Sequence, residues 1–159
     1  MPTGSLNIGL ISDTHGLLRP EAVAALAGSD HIIHAGDIGD PAVLTALERI
    51  APVSAVRGNV DTGPWAEALP SARVVEIGAM RIYVLHNIAE RDLDPEAAGF
   101  GVVVFGHSHQ PGISERQGVL HVNPGSAGPR RFSLPISLGR LVIEAGTIRA
   151  ELIPLVPKA

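Results

Sequence analysis

Residues 6 to 59 read LNIGLISDTHGLLRPEAVAALAGSDHIIHAGDIGDPAVLTALERIAPVSAVRGN, and the apolar spacing in this stretch decides the fold. LNIGLIS (6 to 12), HIIHAG (31 to 36) and VSAVRG (53 to 58) are short apolar runs rich in β-branched residues, as buried strands are. Segments from Pro20 to Ala27 and from Pro41 to Ile50 lie between them and read as helices. Pro20 and Pro41 suit a first helical turn, where a missing N–H costs nothing, and Asp40 is placed to cap the second helix. The order is βαβαβ, which calls for a parallel sheet with right-handed crossovers.

After this stretch, strands dominate. ARVVEIG (72 to 78), MRIYVLHN (80 to 87), GVVVFGHS (101 to 108), GVLHVNPGS (118 to 126), ISLGRLVIEAG (136 to 146) and TIRAELIPL (147 to 155) are apolar runs broken by glycine. The pairs 72 to 86 and 136 to 155 read as hairpins, because GAM and EAG are short connections containing glycine. One helix is expected from Asp92 to Ala98, with Pro95 near its start. Two facing sheets with helices outside follow from this order. No internal repeat and no Gly/Ser linker interrupts it, so residues 1–159 are expected to form a single domain.

Composition narrows the function. Twelve Lys and Arg against sixteen Asp and Glu leave a formal charge of -4, which offers no general attraction to nucleic acid or to anionic membranes. Cysteine is absent, which removes zinc fingers, iron–sulfur clusters, thiol nucleophiles and disulfide frameworks. Aromatic residues make up 3%, too few for base-stacking platforms. No stretch has the length of a membrane span and the first residues lack a leader pattern, so a cytoplasmic protein is expected. A strand-rich second half also leaves room for a homodimer.

The chemistry collects where strands end. Asp13 and His15 follow the first strand, Asp37 the second and Asn59 the third; His86 follows RIYVL, and His107 and His109 follow VVVFG. In α/β folds the loops at this edge converge into a site. Asp13 and His15, like His107 and His109, stand two apart, so that in extended backbone each pair faces one way. Gly36, Gly58 and Gly106 each precede a candidate ligand and are expected to supply backbone freedom. Seven ligands exceed one tetrahedral site. Imidazole and oxygen without sulfur suit Mn, Fe, Zn, Ni or Co better than Ca or Mg. With one bridging carboxylate, two ions would sit roughly 3.5 to 4 Å apart, an arrangement that activates water and clamps a phosphoryl group.

The order D-x-H, G-D, G-N, H, G-H-x-H resembles the calcineurin-like metallophosphoesterases over nearly the whole chain, from Ile8 to about Arg131. GNVD (58 to 61) and NPGS (123 to 126) resemble the small YfcE-type phosphodiesterases in particular. The resemblance implies a four-layer α/β/β/α sandwich of two mixed sheets. It also implies two divalent transition-metal ions, Mn first, with Asp13, His15 and His109 on one, Asn59, His86 and His107 on the other, and Asp37 bridging. In many larger members the third motif is GNH, whose histidine serves the leaving group or the phosphate; here Val60 and Asp61 follow Asn59.

The expected function is therefore a phosphodiesterase acting on a small phosphoester through a hydroxide held between two metals. The alternative is a non-catalytic interaction scaffold of the same fold. Asn59 and Arg130 are the candidates for contact with substrate, Arg131 standing beside Arg130 after the NPGS loop. His31, His34 and His121 have no motif partner and read as structural, while Asn87 and Asp61 receive no role.

Overall fold

The computed structural model describes residues 5–91, 94–130 and 133–155. The opening stretch forms β1 (Leu6–Ile11), α1 (Pro20–Leu26), β2 (His31–His34), α2 (Pro41–Glu48) and β3 (Val53–Ala55). These three strands are parallel, with Ile8 opposite His31 and His34 opposite Ala55. Pro20 and Pro41 open their helices, and Asp40 caps α2 by accepting from the Ala42 N–H at 2.8 Å. A short helix, α3 (Pro64–Glu67), follows.

The remaining strands are β4 (Ala72–Ile77), β5 (Met80–Leu85), β6 (Val102–Val104), β7 (Gly112–Arg116), β8 (Val119–Asn123), β9 (Ser137–Glu144) and β10 (Thr147–Pro154). They complete two mixed five-stranded sheets, ordered β10-β9-β1-β2-β3 and β4-β5-β6-β8-β7. The β4–β5 and β9–β10 hairpins form as expected. Strand β7 was not legible: GISER carries one large apolar residue and is mostly exposed, and its pairing with β8 rests on a two-residue turn at Gln117 and Gly118, both at positive φ.

Burial assigns the faces. Ile8, Leu10 and Ile33 meet Ile82, Val84, Val102, Val104 and Val122 between the sheets. On the other side of the first sheet, Ile11 and Ile32 pack beneath Ala22 and Leu26 of α1 and Val43 and Leu47 of α2. A side chain at Gly9 would collide with Leu26, so glycine lets α1 settle on the strand. The outer layer over the second sheet is thinner. Tyr83, Leu85, Val103 and Val119 lie with Phe100 and Ile88 there, the latter in a 3-10 turn at Ile88–Glu90.

The helix expected from Asp92 to Ala98 does not form in its described part. Residues 95–99 are a turn, closed by Ala98 N–H to Asp94 C=O at 3.0 Å and stopped by Gly99 at φ +81. A left-handed residue so soon after Pro95 leaves no room for a second helical turn. Asp92 and Leu93 lie outside the described residues. Among the described residues no helix is long and apolar enough to cross a membrane.

Candidate metal centre

The C-terminal ends of β1, β2, β3, β5 and β6 bring their loops to one place. Backbone bonds lace these loops together: Asp13 N–H to Gly36 C=O at 3.0 Å, His15 N–H to Asp37 C=O at 2.9 Å, and Gly106 N–H to His86 C=O at 2.9 Å.

Local backbone, not strand alternation, aims the ligands. Asp13, His15, Asp37, His107 and His109 all lie in the left-handed region, at φ 55, 47, 55, 73 and 63. Each such non-glycine residue costs on the order of 1 to 3 kcal/mol, and such residues cluster where function demands it. The expectation that the paired ligands converge through extended backbone is therefore corrected. The glycines also need restating. Gly36 does sit at φ +103, but Gly58 and Gly106 have no positive φ. They are required because a Cβ at Gly58 would overlap Asp37 Oδ1 and Asp37 N, and one at Gly106 would overlap Ser12 Oγ and Asp13 Oδ2.

At the centre, three imidazoles surround Asp13 Oδ1 and Asp37 Oδ2. His109 Nε2 lies 3.4 Å, His86 Nε2 3.8 Å and His15 Nε2 3.9 Å from Asp13 Oδ1. Asp37 Oδ2 is 3.2 Å from His86 Nε2 and 3.6 Å from His15 Nε2. The other carboxylate oxygens are engaged: Asp13 Oδ2 accepts from Ser12 Oγ at 2.8 Å and His107 N–H at 3.3 Å, and Asp37 Oδ1 from Val60 N–H at 3.1 Å. Each aspartate thus turns a single oxygen inward.

His86 decides what belongs there. Its Nδ1 donates to the Ala35 carbonyl at 2.8 Å, so in the neutral ring Nε2 carries the lone pair, aimed at two carboxylates. Asp13 Oδ1, His15 Nε2 and His86 Nε2 are all buried without a hydrogen-bond partner. A lone pair facing carboxylate oxygens is repulsive unless a proton or a metal cation lies between them, and the separations of 3.2 to 3.9 Å lie near the roughly 3 to 3.5 Å between neighbouring ligands on an ion bound at ~2.1 Å. Two groups satisfy this spacing, Asp13–His15–His109 and Asp13–Asp37–His86. The residues present fit divalent metal.

The calcineurin-like phosphoesterase superfamily model matches residues 6–146. The chain belongs to that superfamily. A probable metallophosphoesterase of Methanothermobacter thermautotrophicus is 37% identical over 158 residues, covering 92% of this chain and 91% of its own length. Phosphodiesterase YfcE of Escherichia coli is 28% identical over 161 residues, covering 82% and 84%. Among solved structures, vacuolar protein sorting 29 of Cryptosporidium parvum superposes with a TM-score of 0.76 at 19% identity, covering 96% of this chain and 99% of its own. This last likeness is one of fold.

Other candidate residues of this superfamily member stand at the rim. His107 Nδ1 lies 3.3 Å from Asn59 Oδ1, and the His107 ring meets His86 edge-on at 5.2 Å. Both rim residues line a cavity of about 510 Å³ walled by Arg57, Ser71, Tyr83, Leu85, Asn87 and Glu90. Arg130 is exposed, and Arg131 lies outside the described residues. Trp65 packs against the core beneath α1 and α2.

Of the residues that hold the ligands, sequence reading passed over Ser12, while Asn123 and Ser126 stand in the NPGS turn that it placed beside the site. Ser12 bonds Asp13, and Ser126 Oγ donates to the Asp13 carbonyl at 3.1 Å. Asn123 donates to the Gly106 carbonyl at 3.2 Å and to Ser108 Oγ at 3.1 Å, steadying the His107 loop. The signal available was a set of small polar residues at the buried ends of apolar runs.

Burial and neighbouring charge oppose one another at the centre. Burial raises the Asp13 carboxyl above its ordinary value, against the pull of His86 and His109. Burial opposes ionisation of Asp37 as well, but His86, the Val60 N–H and His15 outweigh it and hold this carboxyl low. His86 is raised: burial disfavours its charge, but neighbouring Asp37 and Asp13 favour it more. Protons and metal thus compete for one space, and metal affinity is expected to fall on acidification, a titration that calorimetry at two pH values checks.

His34 serves structure. Its Nδ1 accepts from Gly36 N–H at 3.1 Å, which leaves Nε2–H to donate to Thr14 Oγ1 at 3.0 Å, and that hydroxyl donates to the Ile38 carbonyl at 2.8 Å. Complete burial, aided by nearby His86, pushes His34 down to about 3 from an ordinary 6.5. Between those values the unfolded chain takes up a proton here and the native chain does not. This stability is full above pH 6.5 and is lost on acidification at up to about 1.4 kcal/mol per pH unit. In urea titrations between pH 4 and 7, His34→Asn is expected to show a shallower pH slope than the parent; equal slopes would refute it.

Proposed function

We propose that this chain is a metal-dependent phosphodiesterase with two divalent transition-metal ions, manganese first among Mn, Ni, Fe, Zn and Co. The observation that carries the reading is the buried, hydrogen-bond-free convergence of Asp13 Oδ1, His15 Nε2 and His86 Nε2 at the end of two sheets. Asp13, His15 and His109 would hold one ion, and His86, Asn59 and His107 the other. Asp37 Oδ2 faces both His15 and His86, which supports the bridging role; Asp13 belongs to both groups as well. When bound, the ions supply Lewis acidity that makes water nucleophilic near neutral pH and neutralises phosphoryl charge.

The protein's own side chains do the rest. The Ala35 carbonyl fixes the tautomer of His86, and Ser12 with the His107 amide fixes the rotation of Asp13. Asn59 Oδ1, 3.3 Å from His107 Nδ1, would serve as an oxygen ligand beside that imidazole. The cavity beside His86 and His107 gives room for a second ester substituent, which favours a diester over a monoester. At the rim stands Val60, 44% exposed and unable to donate a proton. Leaving groups that depart as stable anions should therefore react best.

With Mn²⁺ or Ni²⁺, aryl phosphodiesters are expected to turn over at least tenfold faster than alkyl monoesters. Steady-state rates on bis(p-nitrophenyl) phosphate and an alkyl monophosphate test this, and an equal or reversed order would overturn the diester reading. The same assay separates the scaffold alternative, since metal bound tightly without turnover of any ester would favour an interaction protein.

A further inference from the structure

Asp61, two residues beyond Asn59, is the motif residue that the proposed chemistry leaves unused. Its carboxylate is buried, 6% exposed, and belongs to neither group of candidate ligands. Oδ1 accepts from Gly39 N–H at 2.8 Å, and Oδ2 accepts from Ile38 N–H at 3.1 Å and Gly58 N–H at 2.8 Å. Ile38 and Gly39 directly follow Asp37, and Gly58 directly precedes Asn59. One side chain therefore joins the loop after β2 to the loop after β3 through three charge-assisted bonds.

The loop after β2 needs such a hold. Between Gly36 and Gly39, which take positive φ of 103 and 89 without steric cost, Asp37 stands at φ 55, a conformation that a non-glycine residue keeps only where its surroundings over-determine it. His34 and Thr14 take the Gly36 N–H and the Ile38 carbonyl on one side. Asp61 takes the Ile38 and Gly39 N–H groups on the other. Because Val60 N–H in turn binds Asp37 Oδ1, fixing the Asn59 loop also fixes the rotation that presents Asp37 Oδ2 inward.

We propose that Asp61 is a positioning residue for the metal centre, presetting Asp37 and Asn59 at ligand spacing before metal arrives. This rests on the metal-centre reading above. It also separates Asp61 from the absent leaving-group acid, since both its oxygens accept backbone N–H groups and none is left to deliver a proton.

The test is Mn²⁺ affinity of the full chain by titration calorimetry, with thermal midpoints of the metal-free protein alongside. Asp61→Asn keeps one acceptor oxygen and turns an NH₂ towards a backbone N–H, so Kd is expected to rise 10- to 100-fold. Asp40→Ala, which removes the α2 cap and no ligand support, is expected to lower the midpoint with Kd unchanged. Metal-binding wild type with an equally avid Asp61→Asn would overturn the inference alone; wild type that takes up no Mn²⁺ would overturn the metal-centre reading and this with it. Should Asp61→Asn fail to fold, hydrogen exchange on the metal-free wild type decides. Protected Ile38, Gly39 and Gly58 amides support the brace, and exchange as fast as in exposed loops refutes it.

Discussion

Asp37→Asn is expected to lower turnover of an aryl phosphodiester about a thousandfold and to remove at least one equivalent of bound metal, while the chain stays folded. The geometry gives the reason. Asp37 Oδ1 is held by the Val60 N–H, so an asparagine keeps its oxygen there and places its NH₂ where Oδ2 now stands, 3.2 Å from His86 Nε2. That NH₂ caps the imidazole lone pair and removes the negative charge between His86 and His15. Losing several kcal/mol of Lewis-acid stabilisation corresponds to roughly a thousandfold in rate. The metal-free fold should lose only part of its stability, because the favourable partners that hold the Asp37 carboxyl low are given up while its repulsion of the Asp13 carboxyl is relieved. Metal analysis, steady-state kinetics and a thermal melt check the three parts. A variant with full metal content and parental turnover would show the role given to Asp37 to be wrong.

Gly58→Ala should be the most damaging small change outside the ligands. Gly58 has an ordinary φ, so alanine incurs no left-handed strain; the cost comes wholly from a methyl group overlapping Asp37 Oδ1 and the Asp37 amide nitrogen. Backbone cannot swing aside as a flexible side chain can. Overpacking of this kind costs about 1 to 3 kcal/mol, and the relief available is displacement of Asp37 from the centre. We expect a lower thermal midpoint, Mn²⁺ binding weakened at least tenfold, and a comparable loss of turnover. Parental affinity in Gly58→Ala would mean that the two loops do not approach as closely as described. Gly36, by contrast, sits at φ +103 and would resist alanine for conformational reasons as well.

Much of the architecture could be read directly from residue order. The βαβαβ opening was legible because Ile8, Leu10, Ile32 and Ile33, the apolar centres of their runs, are wholly buried. The hairpins were legible because Gly78 and Gly146 mark their turns at positive φ. Strand β7 was not, since Ser114, Glu115 and Arg116 face solvent and its existence depends on pairing with β8. The helix expected near Pro95 failed because Gly99 reverses the chain, a conformational choice that composition does not record.

The same division runs through the candidate centre. Aspartate and histidine at the ends of apolar strands are visible in one dimension, because a buried strand must end where the chain meets solvent and a loop begins. Their kinds and their order placed the chain in its superfamily. How they are aimed is another matter. Five left-handed residues, the close approach of Gly58 to Asp37, and the three backbone N–H groups gathered by Asp61 appear only once the loops are folded against one another. Residue identity sets which atoms are available to a cation, whereas backbone torsions and contacts between distant loops set where those atoms stand. The latter are properties of the packed chain, so the elements and the ligand types lay open in the amino-acid order, and the centre's geometry did not.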